Sequence, residues 1–206
     1  MGISSVGLGE FIALGMLWHS KHVRLYMEQQ ARKEWKGHDI DVLYDKTMAI
    51  LGFGSIGSYC GKVARHGFHT RVIGIDKFEV KDPYVRTCAD KIVGMDKLPE
   101  VLPEADFFVS VLPQTEETTN LLTNETCFSK MKPSAIFMNI GRGKVVNEEH
   151  LVQALIDKRI AGAVLDVTSE EPLSQDSPLW TMPNVLIYPH SADKDPSRLE
   201  RAVNQF

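Results

Sequence analysis

The stretch that most constrains this chain is Thr47 to Asp76, TMAILGFGSIGSYCGKVARHGFHTRVIGID. Thr47-Met48-Ala49-Ile50-Leu51 is a short apolar run, the pattern of a strand buried on both faces. Gly52, Gly54 and Gly57 follow at the spacing G-x-G-x-x-G. A helix is expected from about Ser55 to His66, with Gly67 placed to stop it. Arg71-Val72-Ile73-Gly74-Ile75 reads as the next strand, and Asp76 closes it.

Each residue type has a physical task in that unit. Gly52 permits a tight turn, Gly54 leaves the backbone open to a pyrophosphate, and Gly57 lets the helix pack close to the strand. The helix start offers free N–H groups and a positive dipole end to phosphates. Asp76 stands where a carboxylate accepts from a ribose diol and repels the extra phosphate of NADP, so the expected cofactor is NAD. The alternative is a glycine-rich structural turn in a flavodoxin-like domain.

At 206 residues, 43% of them hydrophobic, the chain can build one sizeable core. A formal charge of −4, with acids and bases mixed along the sequence, gives no electrostatic case for nucleic acid. Cys60, Cys88 and Cys127 are isolated and lack C-x-x-C spacing, which argues against a disulfide framework or a structural zinc and for a reducing, cytoplasmic setting. His19 and His22 sit at i, i+3 without an evident third ligand, so no metal is expected. No apolar run approaches the about 18 residues of a membrane span. Glu10 interrupts the apolar opening and no basic segment precedes it, which reads against a signal peptide.

Over Gly9 to Trp35 apolar residues recur at roughly helical spacing, as one helix or as two with a bend near Ser20. The segment either packs on its own domain or also forms a dimer interface. Lys77 to Arg86 reads as a loop, Ala89 to Val93 as a short strand and Leu98 to Ala105 as a brief helix. Strands are expected at Asp106–Leu112, Ala135–Ile140, Gly162–Val167 and Val185–Tyr188, with helices at Asn124–Met131 and from an Asn147 cap through Lys158. Glu170 to Pro183 reads as irregular, and Pro196 to Phe206 as a final short helix. The alternation implies right-handed crossovers and a mostly parallel sheet, with ligands gathered at the carboxyl ends of the strands.

Arg142, Glu171 and His190 fall at such ends. Reduction of a 2-oxo acid needs a cation for the carboxylate, a proton donor for the carbonyl oxygen and a carboxylate to orient that donor. Arginine, histidine and glutamate suit these tasks. Taken separately, each has a plainer reading: a loop brace, a buried histidine, a turn carboxylate.

The segments GFGSIG, LPQTEETTNLL, MKPSAIFMNIGRGKVVNEEHLVQAL, IAGAVLDVTSEEPL and SPLWTMPNVLIYPH occur in that order. From Gly9 onward the chain resembles the cofactor-binding domain of the D-isomer-specific 2-hydroxyacid dehydrogenases. The resemblance implies an α/β, Rossmann-type doubly wound sheet with an N-terminal helical arm. It implies NAD-dependent hydride exchange between a 2-hydroxy acid and its 2-oxo acid. It further implies Arg142 on the substrate carboxylate, His190 as acid/base and Glu171 as its partner. Ser55 and Ile56 would lie at the pyrophosphate, Asp76 at the adenosine ribose, Pro113 and Thr118 along the cofactor groove, and Asp166 near the nicotinamide carboxamide. Residues 9–35 resemble the segment through which the family forms homodimers.

The expected organisation is one dinucleotide-binding domain over residues 1–206: a helical arm over 1–36, a Rossmann core over 47–190 and a tail helix over 191–206. The family's separate substrate domain is expected to be absent, which favours cofactor binding with weak or no turnover. A non-catalytic NAD(H) sensor or scaffold is the alternative. Two local departures stand out. Ser55 occupies a position where arginine is common, and Ser191-Ala192-Asp193-Lys194-Asp195 replaces small, glycine-containing residues after His190.

Overall fold

The computed structural model describes residues 4–196. In chain order its main elements are α1 (Ser5–Ser20), α2 (Val23–Ala31), β1 (Thr47–Leu51), α3 (Ser55–Lys62), β2 (Arg71–Asp76), α4 (Pro83–Thr87), β3 (Lys91–Gly94), α5 (Leu98–Val101), β4 (Phe107–Ser110), β5 (Ile136–Asn139), α6 (Glu148–Ile156), β6 (Gly162–Leu165) and β7 (Val185–Ile187). Among the described residues the strands form one seven-stranded sheet in the order β3-β2-β1-β4-β5-β6-β7, and every neighbouring pair is parallel. This is the parallel sheet that the strand–helix alternation implied, in the doubly wound α/β architecture implied by the family resemblance. No helix of the described residues is long and apolar enough to cross a membrane.

Successive strand residues point to opposite faces, so β1 divides between two cores. Ala49 and Leu51 join Leu98 and Val101 of α5 and Leu151 and Leu155 of α6. Met48 and Ile50 join Phe11, Ile12 and Met16 of α1 and Cys60 of α3. Each such aliphatic side chain contributes about 1.5–3 kcal/mol on leaving water, which holds β1 in the interior of the sheet. Residues 9–35 divide at His22, whose backbone is left-handed (φ 51°), so the bend lies two residues beyond the expected one. α1 is a layer of the domain itself, whereas α2 has Gln29 as its one buried residue.

Several boundaries differ from expectation for local reasons. Asn124 to Met131 was expected as a helix, but it forms turns closed by a single 3-10 turn at Phe128–Lys130. The Thr126 hydroxyl accepts from the Thr123 amide (2.9 Å) and donates to the Leu121 carbonyl (2.6 Å), side-chain bonds that compete with a helical ladder. Within the expected loop Lys77 to Arg86, α4 begins, because the Asp82 carboxylate accepts from the Tyr84 amide (2.8 Å) and Pro83 suits a first turn. The helix after the glycine turn is α-helical only to Lys62 and widens to a π turn over Val63–Gly67. β3 starts two residues later than expected: Asp90, just ahead of it, is committed to Arg65 and to the Val72 amide. Of the tail helix expected over 191–206, residues 191–196 form turns without helix, and the rest lies outside the described residues.

His19 is enclosed near the amino-terminal edge of the sheet, where a Cβ on Gly162 would meet its ring at 2.4 Å. Burial pushes its imidazole down to about 4 from the ordinary 6.5, the Ala163 backbone opposing and His22 adding to the fall. A base depressed in the folded state favours folding fully above its unfolded value and loses that advantage as pH falls toward the folded one. Stability should therefore decline between about pH 6.5 and pH 4, by roughly 2–3 kcal/mol from this group. Urea midpoints near pH 7 and near pH 4.5 check this, and His19→Gln should flatten the difference.

Candidate active site

The glycine turn follows from packing at two residues. Gly52 has φ +93°, a conformation L side chains rarely adopt. A Cβ on Gly57 would stand 2.1 Å from the Gly52 carbonyl oxygen, so α3 can approach β1 only with glycine there. At Gly54 a Cβ would meet nothing within 4 Å, so the outer side of the turn is open. The first intrahelical bond runs from the Ser58 amide to the Gly54 carbonyl (2.9 Å), and helix geometry leaves the amides of Ile56 and Gly57 ahead of it without intrahelical acceptors. An open turn with helix-start donors fits a pyrophosphate. The residues present therefore suit a dinucleotide.

Asp76 ends β2 beside this turn, half-buried. One of its carboxylate oxygens accepts from the Phe53 amide (2.8 Å) and the other from the Phe78 amide (3.0 Å). Thr118 braces its own loop, donating to the Pro113 carbonyl (2.6 Å) while accepting from the Thr115 amide (2.8 Å). The Lys77 and Glu117 side chains bridge the loops after β2 and β4 at 2.5 Å. Both are exposed, so this pair contributes little stability.

At the carboxyl edge of the sheet lies a cavity of about 1040 Å³. It brings together Ile56, Pro113, Arg142, Asp166, Glu171 and His190 of the expected residues. Gly52, Gly54, Ser55, Gly57, Asp76 and Thr118 are not on its wall; they belong to the turn and the flanking loops. Leu8, Val111 and Ile140 line it on the apolar side.

His190 is held at its backbone and at its ring. Its φ is 49°, a left-handed conformation that costs a non-glycine residue free energy and recurs where geometry is functionally constrained. Its amide donates to the Asp166 carbonyl (2.8 Å). The Asp166 carboxylate accepts from the amides of Ser191 (2.9 Å) and Ala192 (3.0 Å). Burial raises the Asp166 carboxyl above its ordinary range; the two amides and His190 work against that, and Asp193 adds to it. The ring Nδ1 of His190 lies 2.7 Å from Glu171 Oε2. Glu171 Oε1 accepts from the Thr168 amide (3.3 Å).

Arg142 is exposed on the same wall. Its Nη1 donates to the Gly141 carbonyl (2.7 Å), while the Asn139 side chain donates to the Arg142 carbonyl (3.2 Å) and accepts from the Gly141 amide (3.2 Å). β5 thus ends in an asparagine that clasps the arginine loop. Asn139 went unsingled in the sequence, as did Thr168 and Tyr188, which packs on Phe11 at 4.8 Å between ring centroids. The adjacency Tyr188-Pro189-His190 is the one signal that could have drawn attention to the tyrosine. Among the described residues no group of three or more His, Cys, Asp or Glu could hold a metal ion.

Known proteins resemble this chain in sequence and in fold. The description "D-isomer specific 2-hydroxyacid dehydrogenase, NAD binding domain" matches residues 13–192. Glyoxylate/hydroxypyruvate reductase B of Shigella boydii serotype 4 is 42% identical over 157 residues, which cover 76% of this chain and 46% of that protein. Among solved structures, a D-isomer specific 2-hydroxyacid dehydrogenase family protein from Aeromonas salmonicida superposes with a TM-score of 0.88 at 35% identity, covering 100% of this chain and 64% of that one. A probable 2-hydroxyacid dehydrogenase from Rhizobium etli, solved in complex with NADP, HEPES and L(+)-tartaric acid, gives 0.86 at 28% identity, covering 98% and 63%. The chain spans about half the length of the curated relatives it matches. On the extent of that match, the chain belongs to the D-isomer specific 2-hydroxyacid dehydrogenase family, whose NAD binding domain it carries.

Proposed function

We propose that this chain carries the cofactor site and the acid/base machinery of an NAD-dependent oxidoreductase that interconverts a small 2-oxo acid and its 2-hydroxy acid. The observation that carries the reading is the 2.7 Å contact between His190 Nδ1 and Glu171 in the same cavity as Arg142. A nicotinamide cofactor held there would supply or accept the hydride. Arg142 would hold the substrate carboxylate through its two-pronged guanidinium. Glu171, accepting at Nδ1, fixes the His190 tautomer and leaves Nε2 for the cavity. In the reductive direction His190 would deliver its Nε2 proton to the carbonyl oxygen. Asp166 supports this role by fixing the backbone on either side of the histidine.

The pyrophosphate would lie over Gly54 against the amides of Ser55 and Ile56, bordered by Pro113 and Thr118. Asp76 favours NAD, because its carboxylate would meet the phosphate of NADP as a like charge. The NADP bound to the Rhizobium etli relative makes that preference a point to measure. Glyoxylate and hydroxypyruvate are the first substrates to try, from the name of the reductase B relatives. A second reading, a non-catalytic NAD(H)-binding protein, is favoured by Asp193, an acid on the cavity wall where an anionic substrate would lie. Cytoplasmic residence belongs to the proposal too, supported by buried free thiols at Cys60, Cys88 and Cys127.

Fluorescence titration should show NADH binding at least about 10-fold tighter than NADPH, a difference of ~1.4 kcal/mol. Gly57→Ala, which drives a methyl into the Gly52 carbonyl, should weaken NADH binding by a similar factor or more. Equal affinities for the two cofactors would remove the role given to Asp76.

NADH oxidation against glyoxylate, hydroxypyruvate and pyruvate tests the chemistry. His190→Ala should lower kcat by roughly 10²–10⁴-fold, and Arg142→Ala should act mainly on KM. Cofactor binding without turnover of any 2-oxo acid would favour the second reading.

We further propose a homodimer formed through residues 9–35. Met27 and Trp35 are exposed there, as are Ile40, Val42 and Tyr44 a few residues further along the chain. Sedimentation equilibrium should give about twice the chain mass. A monomer persisting at high concentration would argue against this arm as an interface.

A further inference from the structure

Glu148 opens α6, yet its side chain does not cap that helix. The Asn147 side chain does so, accepting from the His150 amide (3.0 Å). Glu148 instead reaches across to another loop, where Oε2 accepts from the Ser169 amide at 2.8 Å. Ser169 lies two residues before Glu171. The rest of that loop is tied to itself: the Thr168 hydroxyl donates to the Glu170 carbonyl (2.7 Å), and the Thr168 amide donates to Glu171 Oε1 (3.3 Å). The same loop meets the arginine loop backbone to backbone, since a Cβ on Gly143 would stand 1.8 Å from the Thr168 carbonyl oxygen.

We propose that Glu148 is a positioning residue, which sets the Glu171 carboxylate against His190 by holding the Ser169 amide. The consequence for turnover rests on the dehydrogenase reading; the positioning itself does not. The half-buried Glu148 carboxylate receives a charge-assisted hydrogen bond, roughly twice as strong as a neutral one. It thereby links α6, directly after the arginine loop, to the turn bearing the histidine's partner. Glu148 touches neither the cavity nor the reacting atoms, and acts through the peptide between Thr168 and Ser169.

The test compares Glu148→Ala, Glu148→Gln and Glu148→Asp in the full chain. Hydrogen exchange at the Thr168 and Ser169 amides reports the loop. The ¹⁵N chemical shifts of the His190 ring report whether one tautomer dominates. Glu148→Ala should speed exchange at both amides and mix the tautomers, while leaving NADH affinity within about twofold. For a 2-oxo acid kcat should fall by up to about 10²-fold, the scale expected for misplacing a catalytic group by about 1 Å. Glu148→Gln, which keeps an acceptor at the same reach, should restore most of each property. Glu148→Asp, one methylene shorter, should resemble Ala.

Unchanged Thr168 exchange and an unchanged His190 tautomer in Glu148→Ala would overturn the proposal. Should Glu148→Ala fail to fold, Glu148→Asp matching Glu148→Gln in both spectra would overturn it equally. A parent chain that turns over no 2-oxo acid, while the loop signals respond as expected, would sink only the catalytic reading.

Discussion

The contact between Gly57 and the Gly52 carbonyl sets the spacing between α3 and β1, and the geometry of the site follows from it. A methyl group at Gly57 would lie 2.1 Å from that oxygen, so any other residue pushes the helix away from the turn. With the two elements in register, the helix start stands over the carboxyl edge of the sheet. The same economy recurs further along that edge. A Cβ on Gly141 would lie 2.5 Å from the Leu112 carbonyl oxygen, and one on Gly143 1.8 Å from that of Thr168. Adjacent strand-end loops thus pack backbone against backbone. With no side chain between them, they hold arginine, glutamate and histidine around one cavity.

Charge in that cavity is mixed, and each group has a defined constraint. Asp166, Glu171 and Asp193 face Arg142, Lys194 and the imidazole of His190. Asp166 combines burial with two backbone amides, and the first of these influences dominates its titration. Its carboxylate therefore serves the fold directly, anchoring the turn beyond the histidine. A residue implied by family resemblance to lie near the cofactor is, in this chain, also a backbone anchor for His190, Ser191 and Ala192.

Much of this was legible in the sequence because it rests on short-range rules. The glycine spacing, the apolar strand runs and the Asn147 cap each determine local geometry by themselves. The parallel pairing of the strands followed once right-handed crossovers were inferred. What escaped depended on single side-chain bonds to backbone groups. Asn139 clasping the arginine loop and Glu148 reaching Ser169 have no periodicity to betray them. The segment Asn124 to Met131 misled because threonine side chains took backbone groups that a helix would have used. The arm was ambiguous because an apolar stripe cannot say what it packs against. α1 proved to be a layer of its own domain, while α2 is left almost wholly at the surface.

Asp76 has both carboxylate oxygens engaged before any ligand arrives, one by Phe53 within the glycine turn and one by Phe78. A free aspartate must lose rotamer freedom to accept a bond from a sugar hydroxyl. Here that ordering is completed when the chain folds, and the remaining lone pairs present a fixed acceptor. On the proposed reading, discrimination at this position would be a property of the folded turn, and changes at Phe53 or in the loop after β2 would retune it while the aspartate itself stays in place.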